Sequence, residues 1–194
     1  MIIGLTGGSG TGKSSACEFF KKKGFLVLDL DKVSRKVCQK GEKCLDEIVD
    51  YFGNSIIDEN GELIRRKLGD IVFSDKEKLE ILNKITHKYI IEETRNFLEE
   101  NEGKNIVLDA AVLFEAGAQK LCTHTLCVLS SFENRLKRIM ERDSISEESA
   151  KNRILSQPND DFYISHCDFA VYNNSGINEL YNELEKCFGG DYVS

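Results

Sequence analysis

The fold of this chain is decided by one stretch, Gly7-Gly8-Ser9-Gly10-Thr11-Gly12-Lys13-Ser14, which matches the pattern G-x-x-x-x-G-K-[S/T] in full. An apolar run at residues 2–5 precedes this stretch, and apolar residues at helical spacing follow it. A strand, a glycine-rich turn and a helix in this order place backbone N–H groups and a helix N-terminus around phosphate oxygens. The stretch, which we call the phosphate loop, therefore predicts a binding site for a nucleoside triphosphate.

Two side chains of the phosphate loop have distinct predicted roles. Lys13 is expected to reach the β- and γ-phosphates, and Ser14 is expected to supply its hydroxyl to Mg²⁺. The other predicted nucleotide-binding positions are Gly8, Ser9, Gly10, Thr11, Gly12 and Ser15. A glycine-rich turn that carries a lysine by chance is the alternative, and the strand and helix on either side argue against it.

The composition limits the classes of protein to which this chain can belong. The 194 residues carry a net charge of −7 and are 41% hydrophobic, which suits a single folded domain, 1–194. An acidic balance argues against a nucleic-acid partner, whose phosphates require clustered lysine and arginine. No apolar stretch approaches the roughly 18 residues of a membrane span, so no membrane partner is expected. The oligomeric state is left open.

Cysteine usage predicts the compartment. Seven cysteines occur at irregular spacing, with no C-x-x-C pair and no secretory leader before the first apolar run. These features predict reduced thiols and a cytoplasmic protein. Cys122, His124 and Cys127 resemble part of a metal site, but Cys127 falls within a predicted buried strand and no second cluster completes four ligands. A zinc site is therefore not expected.

Apolar runs and helical patterns alternate along the chain. Runs of strand length occupy residues 2–5, 26–28, 106–108, 126–129 and 169–171, and helical stripes occupy 45–52, 79–89, 132–140 and 177–188. This alternation predicts an α/β fold with a five-stranded, mostly parallel sheet and helices on both faces. Approximately 1–31 and 101–194 form the predicted nucleotide-binding core. The strand-poor stretch 32–100 is predicted to form a helical lobe over the C-terminal edge of the sheet.

Acidic residues follow two of the predicted strands, at the edge where ligands bind in open α/β folds. Asp29 and Asp31 follow the second strand, and Asp109 follows the third. In a kinase, a carboxylate near the acceptor hydroxyl orients that hydroxyl and takes its proton. Asp29 and Asp31 point the same way if the strand continues to Asp31, whereas Asp31 is otherwise a favoured helix N-cap. An acidic residue in the position of Asp109 typically assists Mg²⁺ or its waters.

Arginines cluster on one predicted helix. Arg135, Arg138 and Arg142 lie at i, i+3 and i+7, and Arg153 falls in the next helix. A solvated charged face is the simpler interpretation of such a cluster. An ATP site, however, needs cations that neutralise the charge developing on the γ-phosphate. Residues 132–158 are therefore predicted to form a lid that closes over ATP and excludes water.

Taken together, these residues resemble the dephospho-CoA kinase family over almost the full chain. The resemblance rests on the phosphate loop combined with several distant motifs. They are Leu28-Asp29-Leu30-Asp31 followed by Arg35, Gly61-Glu62-Leu63-Ile64-Arg65, Ile71-Val72-Phe73, Ile85-Thr86-His87, Asp109-Ala110-Ala111-Val112-Leu113-Phe114-Glu115, Arg138 to Arg142-Asp143, Arg153 with Gln157, and Asn173-Asn174. The resemblance implies that the chain uses ATP and Mg²⁺ to phosphorylate the ribose 3′-hydroxyl of dephospho-CoA, which completes coenzyme A.

The resemblance also implies roles for individual positions. Asp31 would be the general base, with Asp29 beside it, and Lys13 and Arg142 would stabilise the transferring phosphoryl group. Arg138 would belong to the nucleotide site, where Asn173 or Asn174 would border the adenine. The acceptor-side residues would be Arg65, His87, Phe114, Glu115 and, near the reacting centre, Asp109. The lobe at 32–100 would hold the acceptor.

Three positions depart from the usual pattern of the family. Lys88 and Ala111 stand where prolines are common, which affects loop rigidity, and Ile64 stands where an acid usually precedes Arg65. The alternatives are another small-molecule kinase with a phosphate loop, of the nucleoside monophosphate or shikimate type, and a nucleotide-dependent switch. A switch needs a guanine-reading Asn-Lys-x-Asp motif, which the chain lacks.

Overall fold

A five-stranded parallel sheet organises the structure, a computed structural model that describes residues 1–189. The strands are β1 (Ile2–Thr6), β2 (Leu26–Asp29), β3 (Ile106–Asp109), β4 (His124–Leu129) and β5 (Phe169–Tyr172), in the spatial order β2-β3-β1-β4-β5. β1 pairs in parallel with β3 and with β4, and β4 pairs in parallel with β5. The predicted α/β fold and its five strands are confirmed.

The phosphate loop follows the central strand of this sheet. Ile3 and Leu5 of β1, Val107 of β3 and Leu126 of β4 are fully buried, which explains why these strands are continuous apolar runs. Two helices, α1 (Lys13–Lys22) and α9 (Ile177–Phe188), contribute to the same core. Their core residues are Ala16, Cys17, Phe19 and Phe20 from α1 and Leu180, Leu184 and Phe188 from α9. The start of α1 is thereby anchored next to the end of β1.

The other helices of the described residues fall into two groups. One group is α2 (Leu30–Val37), α3 (Lys43–Phe52), α4 (Arg65–Val72) and α5 (Lys76–Glu100), and the other is α6 (Phe132–Asp143), α7 (Glu147–Leu155) and α8 (Asp160–His166). The last three begin at polar residues whose side chains accept a hydrogen bond from the N–H three residues on. These caps are Ser131, Ser146 and Asn159.

The chain divides into two compact units. The larger unit consists of Met1–Leu28, Glu102–Phe114 and the chain from Ala118 onward, and the smaller unit consists of Asp29–Asn101 and Glu115–Gly117. In the smaller unit the long helix α5 packs against α2, α3 and α4. Lys36 of α2 pairs with Glu93 of α5 at 2.6 Å, and Lys88 of α5 pairs with Glu47 of α3 at 2.9 Å.

Two further features bear on the sequence predictions. None of the helices in residues 1–189 combines the length and the apolar character that crossing a bilayer requires. All seven cysteines are free thiols, and four of them are buried: Cys17, Cys38, Cys44 and Cys127. Cys127 lies in β4, as the apolar run predicted.

Candidate active site

Glycine shapes the end of the phosphate loop. Gly12 caps α1 with a φ of +105°, a conformation that residues with side chains rarely adopt. A Cβ at this position would also collide with the carboxamide of Asn173, so the site demands glycine for two reasons. Earlier in the loop, the hydroxyl of Thr11 donates to the carbonyl of Gly8 at 2.9 Å, which closes the turn.

Side chains from distant parts of the larger unit hold the carbonyls of the loop. Arg138 donates to the carbonyls of Gly10 at 3.1 Å and Thr11 at 3.3 Å, and Asn173 donates to the Thr11 carbonyl at 2.8 Å. Arg135 donates to the carbonyl of Ser9 at 3.0 Å. In a trans peptide the N–H points away from the preceding carbonyl. Holding these carbonyls therefore turns the next N–H groups toward the opposite side of the loop, where an anion can accept from them.

The position of these arginines corrects the interpretation of the cluster on α6. Arg135 is only 5% exposed, and this burial lowers the pKa of its guanidinium. Arg138 donates to the loop and, at 2.9 Å, to the carbonyl of Asn173. Neither residue lies on a solvated face, and neither is a free lid cation, because both brace the backbone of the phosphate loop.

Arg142 has a different environment. It is exposed and forms a two-point contact with Asp143, with N–O distances of 2.8 and 2.9 Å. Arg153 of α7 donates to the same carboxylate, so Asp143 joins α6 to α7. The two guanidinium groups lower the pKa of Asp143 to about 2. The sequence spacing placed Arg135, Arg138 and Arg142 on one helix face. In the structure the first two donate to the phosphate loop, whereas Arg142 pairs with Asp143.

An ion pair lies at the start of α1. Lys13 pairs with Asp109, the last residue of β3, and both side chains are mostly buried. An ammonium group has three donors, so this pair leaves two for phosphate oxygens. The structure thus brings together two residues that the sequence predicted separately, one as a phosphate ligand and one near the reacting centre.

Cys17 is a site residue that sequence reasoning missed. It follows Lys13 by one helical turn and is buried beside Asp109. Burial first, and then the charge of Asp109 and a hydrogen bond to it, raise the pKa of the Cys17 thiol to about 12. The thiol therefore stays protonated at neutral pH. The i, i+4 spacing between Lys13 and Cys17 could have indicated this, because residues four apart lie on the same face of a helix.

The predicted magnesium ligand, Ser14, is exposed in the first turn of α1. Residues 1–189 contain no group of three or more His, Cys, Asp or Glu side chains arranged to hold a metal ion. Mg²⁺ in nucleotide sites retains several waters and takes one or two protein ligands together with substrate phosphates. A hydroxyl next to a phosphate loop meets that requirement.

The carboxylates after β2 differ from both predicted geometries. The strand ends at Asp29, so Asp31 does not extend it. Asp29 is the N-cap of α2 and accepts a hydrogen bond from the N–H of Lys32 at 3.0 Å. Asp31 is the second residue of α2, and its side chain is exposed. Both predictions for Asp31, as a strand residue and as a cap, were therefore wrong. The cap lies two residues earlier, where a carboxylate accepts the free N–H of the first turn.

The predicted acceptor-side residues lie in both units. In the smaller unit, Arg65 is exposed and donates to the carbonyl of Arg35 at 3.4 Å. His87 of α5 is half-buried, and the charge of Glu115 acts on it. In the larger unit, the ring of Phe114 packs edge-on against Phe162 of α8 and lies tilted against His166. The rings of Phe162 and His166 stack with their centroids 4.3 Å apart.

The environment of His87 predicts a pH dependence of stability. Burial lowers the pKa of His87, and Glu115 only partly opposes this. Below about pH 6.5 the unfolded chain therefore binds more protons than the folded chain, and the free energy of unfolding falls as the pH falls. Urea unfolding between pH 8 and pH 5.5 should show this slope in the wild type and a smaller one in His87→Gln. Equal slopes in the two proteins would contradict the assignment.

The two asparagines after β5 have separate environments. Asn173 is 6% exposed, and its side chain is turned toward the phosphate loop. Asn174 is exposed, and its carboxamide oxygen accepts from the N–H of Ser131 at 2.8 Å. The sequence left open which of the two faces the nucleotide base, and of the two residues only Asn174 is exposed.

Comparison with known families gives a consistent result. The family model described as dephospho-CoA kinase matches residues 1–179. Dephospho-CoA kinase of Fusobacterium nucleatum is 41% identical over 186 residues, which cover 96% of each chain.

Two solved structures match nearly the whole chain, and the second of them is described as a dephospho-CoA kinase. The crystal structure of TT1252 from Thermus thermophilus has a TM-score of 0.82 and 28% identity, and the match covers 96% of this chain and 95% of that chain. The structure of dephospho-CoA kinase from Campylobacter jejuni has a TM-score of 0.70 and 28% identity, with 96% and 94% covered.

Proposed function

Because the chain belongs to the dephospho-CoA kinase family, which carries out the last step of coenzyme A biosynthesis, we propose how its own residues perform the phosphoryl transfer. The observation that carries the proposal is the Lys13–Asp109 ion pair at the end of the phosphate loop. The backbone carbonyls of this loop accept hydrogen bonds from Arg135 and Arg138. In the proposed reaction, the γ-phosphoryl group of ATP passes to the ribose 3′-hydroxyl of dephospho-CoA, with ADP as the second product.

The nucleotide side of the reaction is assigned to the larger unit. The N–H groups of the phosphate loop and of the first turn of α1 bind the phosphates, and Lys13 donates to the β- and γ-phosphates while Asp109 orients its ammonium. Ser14 is the proposed protein ligand of Mg²⁺, which neutralises charge on the phosphates when bound. Arg138 supports the loop through its carbonyls, and Asn174 is the asparagine that we assign to the adenine.

The acceptor side is assigned mainly to the smaller unit, the proposed acceptor lobe. Asp31 accepts the proton of the 3′-hydroxyl as that oxygen attacks, and Asp29 fixes the start of α2 through its cap. The residues proposed to bind the rest of the acceptor are Arg65, His87, Phe114 and Glu115. No covalent enzyme intermediate is required, because transfer in line needs only positioning and charge stabilisation.

Arg142 is proposed to stabilise the γ-phosphoryl group in the transition state, with residues 132–158 acting as the lid. We expect Arg142→Ala to lower kcat by about thirtyfold, because a guanidinium that meets charge only in the transition state affects kcat. The melting temperature should change little, since Asp143 keeps Arg153 as a partner. Steady-state kinetics and thermal melts of Arg142→Ala and of the exposed control Lys151→Ala test this. An unchanged kcat with a large loss of thermal stability would indicate a purely structural role.

An acceptor panel tests the function itself. ADP release from Mg·ATP should be stimulated by dephospho-CoA and by none of AMP, CMP and shikimate. Stimulation by one of these other acceptors would overturn the acceptor-side assignments. ADP release at the same rate with and without every acceptor would contradict the kinase reaction and favour a nucleotide-dependent switch.

The surroundings of the enzyme are a further part of the proposal. We assign it to the cytoplasm because all seven cysteines are free thiols, the state that a reducing compartment maintains. Its proposed small-molecule partners are ATP and dephospho-CoA.

A further inference from the structure

Two side chains form hydrogen bonds with three atoms of Ser9 in the phosphate loop. The side-chain oxygen of Gln157 accepts from the Ser9 N–H at 2.8 Å, and the side-chain nitrogen of Gln157 donates to the Ser9 hydroxyl at 3.1 Å. Nε of Arg135 donates to the Ser9 carbonyl at 3.0 Å. Arg135 also donates to the side-chain oxygen of Gln157 at 3.0 Å. We call these three residues the Ser9 bracket.

The cation of the bracket is buried, whereas Ser9 and Gln157 are partly buried. Arg135 is 5% exposed, and the nearest carboxylate, Asp160, is 4.0 Å away, beyond hydrogen-bond distance. The oxygen of Gln157 is therefore a principal acceptor for this buried cation. A Cβ on Gly8 would collide with the guanidinium of Arg135, so glycine at position 8 leaves room for this side chain.

The members of the bracket come from separate elements. Arg135 lies in α6 and Gln157 lies just after α7, so both belong to the segment predicted to form the lid, whereas Ser9 belongs to the phosphate loop. None of the roles proposed above uses Gln157. Its position means that the end of this segment and the first half of the phosphate loop share hydrogen bonds.

We propose that Gln157 is a positioning residue for ATP, which acts through Ser9 and not on the reacting atoms. The proposal rests on the assignment of the phosphate loop to ATP and deepens it. Gln157 fixes Ser9 in one orientation, so the N–H groups of the loop are arranged before the nucleotide arrives and no binding energy is lost in ordering them. Removing the bracket weakens ATP binding and leaves the acceptor site unchanged.

Gln157→Met is the sharpest test, because it retains the length and volume of the side chain and removes all three of its hydrogen bonds. Calorimetric titration with the non-hydrolysable analogue adenylyl imidodiphosphate and Mg²⁺ should show a Kd raised about tenfold, the equivalent of about 1.4 kcal/mol. The KM for ATP should rise in parallel, whereas the KM for dephospho-CoA should stay within about twofold. Hydrogen exchange in a peptide covering residues 7–14 should become faster, since the N–H of Ser9 loses the side-chain oxygen of Gln157 as its acceptor.

Two variants complete the design. Gln39→Met is the matched control, because Gln39 is exposed in the turn that follows α2 and none of the roles above involves it. Gln157→Asn retains the carboxamide but shortens its reach, so it should weaken analogue binding in the same direction if Gln157→Met folds poorly.

The outcomes separate this inference from the proposed function. If both Gln157 variants melt like the wild type and bind the analogue within about twofold of it, the inference is wrong. An equal rise in both KM values together with a lower melting temperature would show a merely structural role and would also overturn it. Failure of the wild type to phosphorylate dephospho-CoA would instead refute the proposed function, because the analogue titration needs no acceptor.

Discussion

Replacement of Lys13 with methionine is expected to lower kcat by about a thousandfold at saturating ATP and dephospho-CoA. Methionine retains much of the length of lysine and removes the ammonium, so the γ-phosphoryl group loses a nearby cation as its charge develops. Asp109 also loses its ion-pair partner, and an uncompensated carboxylate would then face the phosphates. Lys13→Met should therefore weaken ATP binding as well as turnover.

A lysine on the same helix provides the control. Lys21 is half-exposed at the far end of α1 and pairs with Glu18, so Lys21→Met changes the charge of the chain equally without touching the loop. Its kcat should stay within about twofold of the wild type. A Lys13→Met enzyme that retained more than about a tenth of the wild-type kcat would contradict the role given to this ammonium.

Asp31→Asn is expected to lower kcat by about a thousandfold, within the range of an essential general base, because an amide cannot take the proton of the attacking hydroxyl. ATP affinity should change by less than about twofold, since this role exists only in the transition state. Discontinuous assays of product formation measure kcat, and titration with adenylyl imidodiphosphate measures nucleotide affinity separately.

Asp46 supplies the matched control for this substitution. Like Asp31, it is an exposed aspartate in the first turn of a helix, where a negative charge stabilises the positive end of the helix dipole. Asp46→Asn should reproduce any loss of helix stability without the loss of turnover. Near-wild-type turnover in Asp31→Asn would assign the proton transfer to another group.

The sheet was predictable because its signal is local. The three central strands, β3, β1 and β4, are apolar runs covered on both faces of the sheet, so residues such as Leu5 and Val107 are fully buried whichever way they point. The stripes along α3, α5, α6 and α9 were equally readable, since one face of each helix packs against the protein.

The boundary after β2 was harder to predict, because two local rules compete there. Strand alternation and helix capping both favour an aspartate at this point, and the sequence Leu28-Asp29-Leu30-Asp31 satisfies either rule. The structure selects Asp29 as the cap, and Leu30 becomes a buried helix residue. A shift of two residues thus changed the environment assigned to both carboxylates.

The supports of the phosphate loop could not be predicted from spacing alone. Arg135 and Gln157 contact Ser9 across more than 120 residues of sequence, and Asn173 contacts Thr11 across 162. Helical spacing grouped Arg135 with Arg142, but a spacing does not say which carbonyl or carboxylate a guanidinium will meet. These contacts depend on how α6 and the end of β5 pack against the loop.

The most direct test of the account is the fate of the γ-phosphoryl group of ATP. The enzyme should be incubated with dephospho-CoA, Mg²⁺ and ATP labelled with ¹⁸O in the γ-phosphoryl group, and the product analysed by mass spectrometry and ³¹P NMR. The expected product is coenzyme A that carries the labelled phosphoryl group on the ribose 3′-oxygen, formed in equal amount to ADP. Label recovered only as inorganic phosphate, or on any other oxygen of the acceptor, would contradict it.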